Sequence, residues 1–183
     1  LAQQGAETLR RVYAPKVHGA GCVHRAWHGS ALEACVLFSS IASLLGGAGQ
    51  ANYSAANGCL DALAAARRGG GRAAASVQWG PWASAGMASG AAVNARLQAA
   101  GISLLQLADG LAAFAAALRP HAPAVLAVLP VRWSRLLGGA AEAPALLGAF
   151  APLRLSPAGQ GAPAPAEGRA VGLDAVLAIV QRT

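Results

Sequence analysis

The sequence has almost no lysine. Its 183 residues include 13 Arg but a single Lys, Lys16, against only seven Asp and Glu, for a formal charge of +7. Charged residues make up 11% of the chain and apolar types 55%, so a sizeable core is possible while a dense surface code of charge is not. The arginines are scattered. Arg10-Arg11 and Arg67-Arg68 are the adjacent pairs, and no basic face is interleaved with aromatics, so no nucleic-acid surface is expected. Cys22, Cys35 and Cys59 share no metal-ligand spacing and cannot all pair, which excludes a cysteine zinc site and a full disulfide framework. They fit small buried residues in a reducing, cytoplasmic setting. No run approaches the roughly 20 apolar residues of a membrane span. LAQQGAETLR has no signal-peptide anatomy and no initiating Met, and both ends read as cut.

A completed phosphate-cradling glycine motif is also missing. Gly46-Gly47-Ala48-Gly49 stands between a strand-like run and a helix, but Asn52 occupies the place of the last glycine of G-x-G-x-x-G. The segment therefore reads as a flexible turn beside a site.

What is present centres on residues 35 to 87. Cys35 to Phe38 is an apolar run of strand type that ends in Ser39-Ser40. A helix is expected from about Gln50 to Arg68, stopped by Gly69-Gly70-Gly71. Tyr53 and Asn57 lie four residues apart and share a face of it, and Asp61 continues the row. Ala75 to Trp79 reads as the next buried strand, broken by Gly80-Pro81-Trp82. Strand, turn, helix, strand is part of an α/β fold: a Rossmann-like, doubly wound parallel sheet that keeps its ligands at the strands' carboxyl ends.

Before this stretch, apolar residues recur at helical spacing from residue 5 to 27, with Pro15 predicting two short helices or a kink. Lys16 lies on the apolar stripe between Tyr13 and Ala20. A buried ammonium is costly unless paired, so Lys16 is either a snorkelling side chain or a tunable cation placed for chemistry. Beyond Met87, helices are expected over 91–99 and 106–119, the latter as a core helix, and a third strand over Ala124 to Leu129 with Trp133 packing at its end. Residues 157–168 (PAGQGAPAPAEG) have linker composition, and Val171 to Gln181 begins another amphipathic helix.

The run FSS-I-A, then GQANYSAAN, LDALA and SVQWGPW-x-x-x-GM, with APKVHGA upstream, resembles the ketoreductase domains of modular polyketide synthases and animal-type fatty acid synthases. These belong to the short-chain dehydrogenase/reductase superfamily. The resemblance covers roughly residues 1 to 137. It implies a layout of 1–138 as the C-terminal part of a ketoreductase domain, 139–168 as a Pro/Ala/Gly-rich linker and 169–183 as the start of a helical acyl carrier domain. The family's first strands and its glycine-rich NADPH fingerprint would then precede Leu1.

Carried over position by position, the resemblance implies a catalytic set of Lys16, Ser40, Tyr53 and Asn57. Most short-chain dehydrogenases hold the lysine four residues after the tyrosine. Here Asn57 stands there and the lysine comes from an earlier helix, as in polyketide ketoreductases. The implied reaction is NADPH-dependent reduction of a β-ketoacyl thioester, borne on the phosphopantetheine of an acyl carrier domain, to the β-hydroxyacyl thioester. Tyr53 would donate the proton as general acid, assisted by the Lys16 charge. Ser40 would hydrogen-bond the carbonyl oxygen. Asn57 would fix Lys16 or a relay water. Tyr53, Pro81 and Trp82 would border the cofactor, and Leu45, Gln50 and Met87 the substrate, with Met87 opening a lid. One stereochemical class carries Trp eight residues before the tyrosine; Leu45 stands there, which leans toward the D-hydroxy-forming class. Other synthase domains are the implied partners. A competing expectation is a non-catalytic half-domain that docks against such partners.

Overall fold

The structure, a computed structural model, describes residues 4–83, 91–138 and 144–155. The chain opens with α1 (Ala6–Tyr13), a π-helical turn (Ala14–His18) and α2 (Gly19–Ala26) in unbroken succession. Pro15 therefore does not split the helix. Proline has no N–H and its ring crowds the carbonyl one turn back, and the wider π-turn relieves both problems within a continuous rod. Its end is marked by the Gly19 N–H, which donates to the carbonyls of Ala14 and Lys16.

Three strands follow, β1 (Val36–Ser40), β2 (Ala75–Trp79) and β3 (Val125–Val128), all parallel and in the spatial order of the chain. Between β1 and β2 run the short α3 (Ala42–Leu45) and the long α4 (Ala51–Gly69). Between β2 and β3 lie α5 (Ala91–Ala99) and α6 (Leu107–Ala117). The fold is a parallel-sheet, Rossmann-like α/β architecture.

All five residues of β2 are buried, as a central parallel strand requires. Its alternate residues meet different partners. Ala75, Val77 and Trp79 join Leu126 and Val128 of β3 and Ala113 and Ala117 of α6 in one apolar cluster. Ser76 and Gln78 instead hydrogen-bond Asp61 of α4. α4 and α6 thus cover opposite faces. Two crossovers that advance the same way across the sheet on opposite faces must differ in hand, so one is the uncommon left-handed kind.

The apolar block of α6 predicts a core helix, but the helix buries one face only. Gly110, Ala113, Ala116 and Ala117 are inside, while Leu107, Leu111 and Leu118 are exposed. Part of the interval expected as linker is also packed. After α7 (Trp133–Leu136), a 3-10 helix spans Ala145–Leu155, its Leu147 is buried, and Phe150 stacks face to face on Trp133 with ring centres 4.2 Å apart. The sequence read as a linker (157–168) and a carrier helix (171–181) lies outside the described residues, as does Met87.

Candidate active site

The arrangement begins at β1. The Ala75 N–H donates to the Cys35 carbonyl and the Ile41 N–H to the Trp79 carbonyl, bracketing the ladder to β2. In a parallel ladder the residues that bond a given neighbour alternate, so 35, 37, 39 and 41 face β2. Val36, Phe38 and Ser40 turn their N–H and C=O groups to the other edge, which has no strand beside it among the described residues. One of those carbonyls is covered by a side chain: Lys16 Nζ donates to Phe38 O at 3.1 Å.

The same ammonium lies 5.4 Å from the centre of the Tyr53 ring, within cation–π range. Lys16 comes from the π-turn and Tyr53 from the first turn of α4, so two helices converge on the end of β1. Burial pushes the Lys16 pKa below the ordinary lysine value, and the charge of Asp61 opposes that shift in part.

Asn57 lies one turn beyond Tyr53 and is fully buried. Its Nδ2 donates to the Tyr53 carbonyl at 2.8 Å, and its main-chain carbonyl accepts from Ser39 Oγ at 3.3 Å. Its Oδ1 is buried with no hydrogen-bond partner. An acceptor left so costs about 1–3 kcal/mol, a cost a relay water or an approaching ammonium would remove. Of the two roles the resemblance implies for Asn57, fixing Lys16 or fixing a relay water, the first is not seen as a direct hydrogen bond; Lys16 donates to the Phe38 carbonyl. Ser40 Oγ accepts the Ala42 N–H at 3.2 Å, so the hydroxyl is held by its own turn rather than by Tyr53.

Pro81 and Trp82 follow β2 at its carboxyl end. The Pro81 carbonyl accepts the Leu105 N–H at 2.7 Å and the Ala83 N–H donates to Leu105 O at 3.0 Å, so this rim is braced from behind. The Trp82 ring packs 5.1 Å from that of Trp79 and against α6 at Gly110, where a Cβ would collide with it. Leu45 lines a small apolar cavity of about 20 Å³ with Ile41, Leu44, Trp133, Leu136 and Leu147. Gln50 is exposed on the loop before α4. A larger cavity, of about 400 Å³, opens at the amino ends of the strands between Cys35, Ala75 and Arg119. Ligands of parallel sheets sit at the carboxyl ends, so it is not the site.

A second constellation lies beside these residues, and the sequence reading assigns it no role. Asp61 Oδ1 accepts from Ser76 Oγ at 2.6 Å, and Oδ2 accepts from Ser43 Oγ and Gln78 Nε2, both at 2.8 Å. Ser43 Oγ is also 2.9 Å from the Ser40 carbonyl and from Gln78 Nε2. The available signal is two polar side chains alternating within an otherwise apolar strand, opposite an acid on the Tyr53–Asn57 row.

The KR domain family model matches residues 1–84. Among curated relatives, polyketide synthase GfsA of Streptomyces halstedii is 40% identical over 169 residues, 91% of this chain and 2% of that protein. The spectinabilin polyketide synthase system protein NorB of Streptomyces orinoci is 49% identical over 113 residues, 60% of this chain and 5% of that one. Among solved structures, PlmKR1, the ketoreductase from the first module of phoslactomycin biosynthesis in Streptomyces sp. HK803, superposes with a TM-score of 0.73 at 40% identity over 81% of this chain and 34% of its own. An A-type ketoreductase from a modular polyketide synthase gives a TM-score of 0.75 at 33% identity, over 83% and 32%. The chain thus spans a few per cent of these curated relatives and about a third of the solved ketoreductases. Family match, relatives and structures agree with the sequence reading, and the chain belongs to the ketoreductase domains of modular polyketide synthases.

Proposed function

We propose that this chain carries the catalytic machinery for NADPH-dependent reduction of a carrier-bound β-ketoacyl thioester to the β-hydroxyacyl thioester. The observation that carries the reading is Lys16 Nζ over the face of Tyr53, with Asn57 one turn along the tyrosine helix. A lysine brought from a different helix is what the polyketide type of ketoreductase demands once asparagine takes the usual lysine position.

Each residue then has a task. Tyr53 gives its phenolic proton to the carbonyl oxygen as that oxygen becomes an alkoxide. Ser40 turns its hydroxyl proton toward the same oxygen, a donation compatible with accepting the Ala42 N–H. The Lys16 ammonium stabilises the negative charge left on Tyr53. The free, buried Oδ1 of Asn57 takes a proton donor, either Lys16 after a small swing or a water that reprotonates the tyrosine. When bound, NADPH supplies hydride to the β-carbon, which with the tyrosine proton completes the hydroxyl. Tyr53, Pro81 and Trp82 would hold its nicotinamide end. The partly exposed rim at 81–83 fits that duty, because its main chain is already held by hydrogen bonds to Leu105. Leu45, Gln50 and Met87 would meet the acyl chain.

We assign residues beyond the packed unit to a linker and the start of an acyl carrier domain, the partner that would present the substrate. The likeness to GfsA over 91% of the chain supports continuity with a multidomain synthase.

The test is Tyr53→Phe in the complete ketoreductase domain, assayed by NADPH oxidation with a β-ketoacyl N-acetylcysteamine thioester. Turnover is expected to fall by about 10²–10⁴-fold with NADPH binding, followed by its fluorescence, retained. Parental turnover in the variant would sink the assignment. An unsubstituted domain that neither binds nor oxidises NADPH would favour the docking half-domain instead.

A further inference from the structure

We propose that Asp61 is a positioning residue for the reduction, fixing the tyrosine helix and the serine turn to one another through a single carboxylate. The inference rests on the ketoreductase reading of the site. It concerns residues to which that reading assigns nothing.

Asp61 lies two turns beyond Tyr53 on the same row of α4, so a roll or slide of the helix that moves one moves the other. Its carboxylate accepts three hydrogen bonds, all from neutral donors, at 2.6–2.8 Å. A carboxylate takes only donors, so Gln78 must present Nε2 and not its carbonyl. Two of the three donors, Ser76 and Gln78, stand on β2 and lock α4 to the centre of the sheet. The third, Ser43, belongs to α3, the turn that directly follows Ser40. Its single proton serves either Asp61 Oδ2 at 2.8 Å or the Ser40 carbonyl at 2.9 Å, while a Gln78 N–H donates to the Ser43 oxygen at 2.9 Å.

The network therefore runs from the helix that carries Tyr53 to the main chain of Ser40. Apolar contacts between helix and sheet tolerate sliding, because dispersion and burial depend weakly on register. Short, charge-assisted hydrogen bonds do not. Proton donation from Tyr53 and hydrogen bonding from Ser40 must converge on one carbonyl oxygen, and an error near 1 Å can cost about 10²-fold in rate. The apolar alternatives at position 61 would keep the helix folded without setting that convergence.

The experiment uses the complete ketoreductase domain and the same thioester assay, with Asp61→Asn, Ser43→Ala and the double variant Asp61→Asn/Gln78→Glu. In Asp61→Asn the charge and one of the two acceptor oxygens are lost, so the donors Ser43, Ser76 and Gln78 can no longer all be served. In the double variant the carboxylate now at position 78 accepts from the amide now at position 61, so the pairing is restored with donor and acceptor exchanged. Expected for Asp61→Asn is a loss of about 10–100-fold in kcat, with the KM for thioester and the NADPH affinity within about threefold of the parent. The double variant is expected to recover at least about tenfold of that loss. Ser43→Ala removes the hydroxyl's contacts with the Ser40 carbonyl, Asp61 and Gln78 but leaves Asp61 bonded to Ser76 and Gln78, so α4 stays tied to β2. It is expected to lower kcat by about five- to tenfold with little change in melting temperature.

Parental kcat in Ser43→Ala, or in a folded Asp61→Asn, overturns the proposal. So does a double variant that recovers the melting temperature but not kcat. Should Asp61→Asn fail to fold, the double variant and Ser43→Ala decide. A Tyr53→Phe control separates this failure from that of the functional reading: Tyr53→Phe inactive with Ser43→Ala parental refutes positioning alone, whereas Tyr53→Phe active refutes the ketoreductase site itself.

Discussion

The Lys16 ammonium donates a hydrogen bond to the main-chain carbonyl of Phe38 across 3.1 Å, and by that bond the π-turn of the first helix is tied to the edge of β1 that faces away from β2. The contact is more than an anchor. It holds the cation over the Tyr53 ring at 5.4 Å, where a charge can act on the phenol without a direct bond to it.

Replacing that cation should therefore separate catalysis from folding. In the complete domain, Lys16→Met is expected to reduce kcat by about 10²–10⁴-fold, with little change in melting temperature. Lys16→Arg should not restore the rate, because a planar fork cannot occupy the place of a compact ammonium. Full activity in Lys16→Met, measured by NADPH oxidation, would remove the lysine from the mechanism.

Under the proposed mechanism the charge state of Lys16 would set the alkaline limit of the reaction. Burial lowers its pKa from the ordinary 10.5, and the Asp61 charge partly opposes this. A lowered lysine pKa means the native state binds the proton less tightly than the unfolded one, so this group's contribution to stability rises as pH climbs through the window below 10.5. Activity is expected to move the other way, since the ammonium is the working form in the proposed mechanism. The kcat–pH profile is expected to fall on its alkaline side, and Asp61→Asn should shift that limb to lower pH. An unmoved limb would mean that Lys16 does not titrate in the rate.

The parts of this site that the sequence discloses are those governed by short-range spacing. Tyr53, Asn57 and Asp61 are four residues apart, and any α-helix places them in a row. β2 is legible from end to end because its run is closed by Gly80-Pro81 and preceded by the glycines that stop α4. The π-turn is not: Pro15 argues for a break, and only the hydrogen bonds of the folded helix reveal that one wide turn absorbs it. Ser76 and Gln78 are hidden inside a strand that reads as buried on both faces, because their partner Asp61 is 15 and 17 residues distant. The stacking of Trp133 on Phe150 escapes for the same reason, since a Pro- and Ala-rich composition gives no hint of a ring 17 residues away.

Gly101 offers a test of backbone strain away from the site. Its φ is +85°, and a Cβ would lie 2.8 Å from the Arg132 carbonyl and 3.0 Å from the Leu136 nitrogen, atoms that cannot swing aside. Gly101→Ala is expected to destabilise the domain by about 2–4 kcal/mol, from the left-handed backbone and the overpacking together. Urea denaturation measures it, and a loss below about 0.5 kcal/mol would mean that the loop relaxes freely.

Arg68 decides how the scattered positive charge is used. Its guanidinium donates to three main-chain carbonyls: Ala74 at 2.7 Å, Pro120 at 3.1 Å and Ala122. Those carbonyls belong to the segments entering β2 and β3, so one side chain clamps the amino ends of two strands to the end of α4. Its neighbour Arg67 is buried and donates to the Ala73 carbonyl, with His24 Nδ1 3.0 Å from its Nη1. This adjacent pair is thus turned inward onto neutral acceptors, and no acid competes for it among the described residues. A lysine at 68 keeps the charge but lacks the fork, and can reach one or two of the three carbonyls. Arg68→Lys is expected to cost about 1.5–3 kcal/mol, the worth of a hydrogen bond to a charged group. Arg68→Met should cost more, because all three carbonyls then lose their donor. Equal stability of the Lys variant and the parent in urea would show that charge alone, and not the planar geometry of the guanidinium, closes the amino end of the sheet.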